Sequence, residues 1–175
     1  MISRTVVLQQ NFRQRVSSGH LINASSWLLI YASLPTALIA ALIVGILYYF
    51  DPDLLGTITT SYSQKNPEWF PYLIFNPIVE SLLLVIVVST CVKIKLGFVS
   101  VIVGAASLST LHSLQNPYWG ITVFFLFLIH SCALFYFFSK NFKRGWAVIS
   151  LAHSMHNAWI LLVLFSIDKI LVLQN

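Results

Sequence analysis

Charge is what this chain has least of. Only 9% of its 175 residues are Asp, Glu, Lys or Arg, against roughly a quarter in soluble globular domains, and so low a share excludes an ordinary water-exposed fold. Cysteine is almost absent as well. Cys91 and Cys132 both fall in apolar runs, with no CxxC pair and no disulfide framework, so they read as free buried thiols. There is no glycine-rich phosphate loop, and the basic residues form no stripe interleaved with stacking aromatics. Despite a net charge of +5, no nucleic-acid partner is expected. The first 26 residues are polar and carry Arg4, Arg13 and Arg15 without a compact apolar core before a small-residue cleavage site, so they do not read as a removable signal peptide. Internal repeats and low-complexity tracts are also missing.

What remains is hydrophobic: 58% of the residues, arranged in five long windows. A helix needs about 20 apolar residues to cross a bilayer, and the windows meet that length. The expected fold is therefore all-α, a polytopic bundle of about five transmembrane helices in a single domain, residues 27–167, with the lipid bilayer as its solvent. The spans are expected at 27–50, 70–92, 96–114, 119–139 and 145–167, after a polar segment 1–26 and before a short tail 168–175. Pro35 and Pro77 lie inside spans and mark candidate kinks. Orientation follows from Lys and Arg in the flanks. Arg4, Arg13, Arg15, Lys93, Lys95, Lys140, Lys143 and Arg144 fall on one side, and only Lys65 and Lys169 on the other. That bias places the N-terminus in the cytoplasm and the C-terminus outside, in an inner (plasma) membrane. Tyr48, Tyr49, Trp69, Tyr72, Tyr118 and Trp119 then form an outer aromatic belt, and Trp27, Tyr136 and Trp146 an inner one.

Against this background the polar residues inside the spans stand out. Glu80 interrupts NPIVESLLLVIVVS with no basic residue nearer than Lys93. His112 lies near the end of the third span, His130 midway along the fourth, and His153, His156 and Asn157 in the fifth. Each ionisable group costs at least about 2.5–3.5 kcal/mol on insertion scales, which makes it a functional candidate. Helical spacing supports convergence: Asn76 precedes Glu80 by four residues, and His153 precedes Asn157 by four. Ala105, Ser109 and His112 share a face whose small residues permit close helix approach. With 1.5 Å of rise per residue, Glu80 sits about 15 Å below the outer boundary and His153 about 12 Å above the inner one. His130 and His156 read first as buried histidines satisfied by a carbonyl or hydroxyl of a neighbouring helix.

Three stretches carry a family resemblance: Pro77-Ile-Val-Glu80-Ser81, Leu108-Ser-Thr-Leu-His112 and His153-Ser-Met-His-Asn157. In type and order they resemble the motifs of the CAAX-prenyl-protease and bacteriocin-processing family of glutamic intramembrane proteases: a Glu-Glu pair followed by Arg, a Phe-xxx-His, and a His-xxx-Asn or His-xxx-Asp. The resemblance covers about residues 70–165. This chain departs from the pattern at Ser81 for the second Glu, Val85 for the Arg and Leu108 for the Phe, and it has fewer helices than most members.

The resemblance implies an endopeptidase acting on a membrane-anchored protein or peptide, with neither metal nor cofactor. Glu80 and His112 activate a water, while His153 and Asn157 donate hydrogen bonds to the developing oxyanion. Asn76, Ser81, His130 and His156 are supporting candidates. Because the polar groups lie from mid-membrane to the outer half, the substrate is expected to be a membrane segment such as a C-terminal anchor, sorting signal or leader. Three other readings compete. One is a metal-dependent hydrolase built on Glu80, His112, His130, His153 and His156. Another is a proton-coupled membrane protein using a Glu–His relay, and the last is a non-catalytic relative. Oligomeric state is not legible.

Overall fold

The computed structural model describes residues 21–50 and 70–172, with side chains placed over 32–50 (except Tyr48) and 70–163. The expected features at 1–20, the 51–69 loop with Trp69, and the last three residues lie outside the described residues. Every element described is helical. The order is α1 (Leu21–Phe50), a π-helical turn (Pro71–Phe75), α2 (Asn76–Lys93), α3 (Val99–Gln115), α4 (Pro117–Tyr136) and α5 (Phe142–Val172).

All five expected spans coincide with helices, but the ends differ for identifiable reasons. α4 starts two residues earlier than expected because Asn116 caps it: its side-chain oxygen accepts the Tyr118 N–H at 3.0 Å, and Pro117 takes the first turn, where a missing N–H costs nothing. Asn141 does the same for α5, accepting from the Arg144 N–H at 3.1 Å. At its other end α5 runs on to Val172, past Asp168 and Lys169, and α1 begins six residues before Trp27. At these two ends the helix outlasts its apolar window, since no Pro or Gly lies in either extension to stop it. By contrast α3 begins at Val99, after the expected 96, and α4 ends at Tyr136, before the expected 139. Between α2 and α3 the chain reverses through Lys95 and Gly97, both with positive φ (64° and 57°), a region that Gly enters freely and Lys only at a cost.

The second span holds the main irregularity. Pro77 has no N–H, and its ring disfavours an ordinary α-turn before it. The chain answers with the π-helical turn, in which the Asn76 N–H reaches back to the Pro71 carbonyl, five residues away. Such turns inside helices are often found at functional sites.

α3 and α4 pack most extensively, α2 lies against both α3 and α5, and α1 covers α5 and α4. The core is one cluster: Leu84, Val85 and Val88 of α2, Ala105 and Leu108 of α3, Phe127, Ala133 and Leu134 of α4, then Phe138 and Ile149. Small residues set the closest approach. A Cβ added to Gly104 would stand 2.6 Å from Ser131 Oγ and 2.7 Å from Val88 Cγ2, so α2, α3 and α4 meet over a bare backbone.

The exterior is apolar too. Leu38, Leu42, Phe70, Ile86, Ile102, Ile121 and Leu151 all face outward, as they would toward lipid. Three helices are long and apolar enough to cross a membrane (Pro71–Lys93, Pro117–Phe137 and Phe142–Val163), and Ala32–Leu47 and Val99–Gln115 are shorter apolar helices. The structure is that of an all-α, membrane-embedded helix bundle.

Candidate functional site: a carboxylate between two imidazoles

Each helix of the site buries one stripe with a period near 3.6. On α2 the stripe is Pro77, Ser81, Leu84, Val85, Val88 and Cys91, and Glu80 stands at its edge. On α3 it runs Val101, Ala105, Leu108, and His112 continues it one turn on. On α5 it includes Ile149, His153, His156 and Asn157.

These three stripes bring three of the four principal candidates together. Nε2 of His112 and Nε2 of His153 each lie 3.5 Å from the same oxygen, Glu80 Oε2. Both distances exceed an ordinary hydrogen bond of about 2.7–3.2 Å, and Oε2 has no closer partner among the described residues. Access is one-sided: the side chains of Glu80 and His112 are 20% and 18% exposed, that of His153 only 4%. The Phe127 ring lines the apolar side, its centroid 5.3 Å from that of His112 and 5.6 Å from that of His153.

Hydrogen-bond chemistry distinguishes the two imidazoles. His112 Nδ1 is 2.9 Å from the Leu108 carbonyl. A carbonyl only accepts, so Nδ1 carries the hydrogen, and a neutral His112 turns a bare Nε2 toward Glu80. Two acceptors face each other there, an arrangement suited to sharing a proton. His153 lies on the opposite footing. Its Nε2 faces a carboxylate oxygen, an acceptor, so its favoured tautomer keeps the hydrogen on Nε2. One oxygen of Glu80 thus stands between a hydrogen acceptor and a hydrogen donor.

Asn157 sits one turn from His153, and its Nδ2 donates to the Tyr72 carbonyl at 2.9 Å. That carbonyl belongs to the π-helical turn. Its usual α-helical donor, the Asn76 N–H, is directed to Pro71 instead, and the donor five residues on would be Pro77, which has none. Asn157 therefore ties α5 to the entry of α2. A second tie comes from Trp146, whose Nε1–H donates to the Ile78 carbonyl at 3.0 Å.

The supporting candidates divide. Asn76 contributes its backbone N–H to the π-turn. Ser81 is buried, and its hydroxyl has no partner among the described residues. His156 is satisfied as expected, through a 2.9 Å contact between Nδ1 and Thr36 Oγ1 of α1. His130 is not. It is 2% exposed, and neither ring nitrogen has a partner among the described residues, which corrects the expectation that a neighbouring carbonyl or hydroxyl holds it. Val85 and Leu108, at the positions where the resemblance has Arg and Phe, both belong to the apolar core.

Sequence reasoning missed Thr36, Phe127, Trp146 and the Tyr72 carbonyl. None had a specific signal: the carbonyl that Pro77 deprives of its α-helical donor is that of Leu73, four residues back, not that of Tyr72. Among the described residues no three His, Cys, Asp or Glu side chains are arranged to hold a metal ion. The chain matches no family model, no characterised protein and no solved structure.

Proposed function

We propose that the chain is a membrane-embedded glutamic endopeptidase, a short and divergent relative of the CAAX-prenyl-protease and bacteriocin-processing family, that cleaves a membrane-anchored protein or peptide. The observation that carries this reading is the meeting of Glu80, His112 and His153 around one carboxylate oxygen, from three separate helices.

In this reading the two facing acceptors, Glu80 Oε2 and His112 Nε2, take the hydrogens of one water and turn its oxygen toward a peptide carbonyl. As the water adds, its proton passes to the Glu80–His112 pair, and the pair returns it to the leaving amine. Negative charge grows on the former carbonyl oxygen. The Nε2–H of His153, which faces Glu80 Oε2 at 3.5 Å, lies beside that oxygen and can turn to it. Asn157 has a second amide hydrogen besides the one given to Tyr72. Preorganised donors in a water-poor site are worth most at such an oxyanion.

The substrate is an apolar segment arriving from the lipid. The half-open side of the site belongs to Glu80 of α2 and His112 of α3, and Val79, Leu83 and Leu111 beside them are apolar and exposed. All five helices cross the membrane in this reading, with the N-terminus cytoplasmic, which puts the site between mid-membrane and the outer face. In a matched pair of cells making the wild type or Glu80→Gln at equal levels, sequencing of new protein termini tests both points. New termini in or beside an anchor's membrane segment, on its outer half, are expected in the wild type alone. Identical termini in the two cells would sink the peptidase, and a cut on the cytoplasmic side would overturn the assigned depth.

A further inference from the structure

His130 poses a problem that the reaction above does not use. Buried polar atoms are almost always hydrogen-bonded, either to protein or to ordered water, yet both nitrogens of this buried ring have no partner among the described residues. The same holds for Nδ1 of His153, the nitrogen on the far side from Glu80. The two rings are neighbours, with centroids 6.0 Å apart and planes inclined by 59°. Neighbouring buried rings whose nitrogens lack protein partners are candidates for a bridging water. His156 is also close, its ring centroid 6.4 Å from that of His153, but its Nδ1 is already engaged by Thr36.

We propose that His130 and Nδ1 of His153 together bind one buried water, and that His130 is thereby a positioning residue that fixes the tautomer of His153. The direction of each hydrogen follows from the partners. Nε2 of His153 faces a carboxylate oxygen and keeps its hydrogen, so Nδ1 is bare and must accept. A water donates to it, and that water accepts the N–H that His130 carries in either tautomer. Without His130, Nδ1 can take the hydrogen itself. Nε2 then turns a lone pair toward Glu80 and has nothing to offer an oxyanion. The inference rests on the Glu80-centred reading of the site, but its test does not pass through cleavage.

The full chain, labelled with ¹⁵N-histidine and placed in lipid nanodiscs, reports the tautomer directly, and His153→Gln identifies the His153 signals. The wild type is expected to show Nε2 protonated and Nδ1 bare, with magnetisation passing from water to both His130 and His153. In His130→Phe the His153 signals shift toward the Nδ1–H form and the water transfer is lost, whereas His130→Gln, which keeps an N–H donor, retains the wild-type pattern. An unchanged His153 in a folded His130→Phe overturns the proposal. So does the wild-type spectrum alone, if it shows Nδ1 protonated or no transfer from water, whether or not the variant folds. A chain with the expected tautomer and no peptidase activity would count against the proposed function only.

Discussion

A neutral His112 approaches Glu80 with a bare nitrogen. Its Nδ1 hydrogen is given to the Leu108 carbonyl one turn back, so the Nε2 it brings within 3.5 Å of Oε2 is an acceptor. In the proposed reaction these two acceptors hold and move one proton between them. Glu80→Gln and His112→Ala should therefore each lower single-turnover cleavage of a mapped substrate by about a hundredfold or more, the range of general-base catalysis. The double variant should be no slower than the worse single one, as for residues working as a unit. Multiplying losses would show instead that the two act separately.

The tie between Asn157 and Tyr72 should be worth more than an ordinary surface hydrogen bond. Asn157→Ala leaves a carbonyl of the π-helical turn without this donor, and a cost of about 1–3 kcal/mol is expected in unfolding measured in one detergent throughout. Pro77→Ala returns an N–H to the helix. In that background Asn157→Ala should cost less, and the coupling between the two sites measures how far the proline creates the need for the asparagine.

Thr36 Oγ1 meets His156, whose ring centroid lies 6.4 Å from that of His153 and which has no role in the proposed reaction. Thr36→Val keeps the shape and removes the hydroxyl that His156 Nδ1 meets. Stability should fall by about 1–3 kcal/mol. The cleavage rate of the folded fraction should stay within twofold or so of wild type, well short of the general-base losses. A rate that fell as far as it does in Glu80→Gln would move His156 into the site.

Gly104→Ala tests the packing. The added methyl meets Ser131 Oγ at 2.6 Å and Val88 Cγ2 at 2.7 Å, and overpacking of this kind costs about 1–3 kcal/mol. Adding Ser131→Ala should recover part of the lost thermal stability and not all of it, because Val88 still blocks the space.

The helices were legible because low charge and long apolar windows leave a chain few other ways to satisfy its backbone. Glu80, His112 and His153 stood out as polar residues on three separate windows, but helical spacing alone did not require them to meet. Asn157, expected with them, bonds to Tyr72 instead. Helix ends were not legible, because Asn116 and Asn141 set them through side-chain caps that hydropathy does not register. The partner of Asn157 was hidden for a different reason: it is a backbone carbonyl 85 positions earlier, and every residue has one. Nor could sequence separate His130 from His156. Both are buried histidines, and what distinguishes them is a threonine hydroxyl 120 positions from His156.

The π-helical turn also links distant parts of the chain. One of its carbonyls accepts a hydrogen bond from a side chain 85 positions later, so that bond exists only with α5 seated against the entry of α2. The same helix carries His153, which faces the Glu80 carboxylate. A chain that lacked α5 would therefore lose in one step a tie on the entry of the second helix and one of the two imidazoles at its carboxylate.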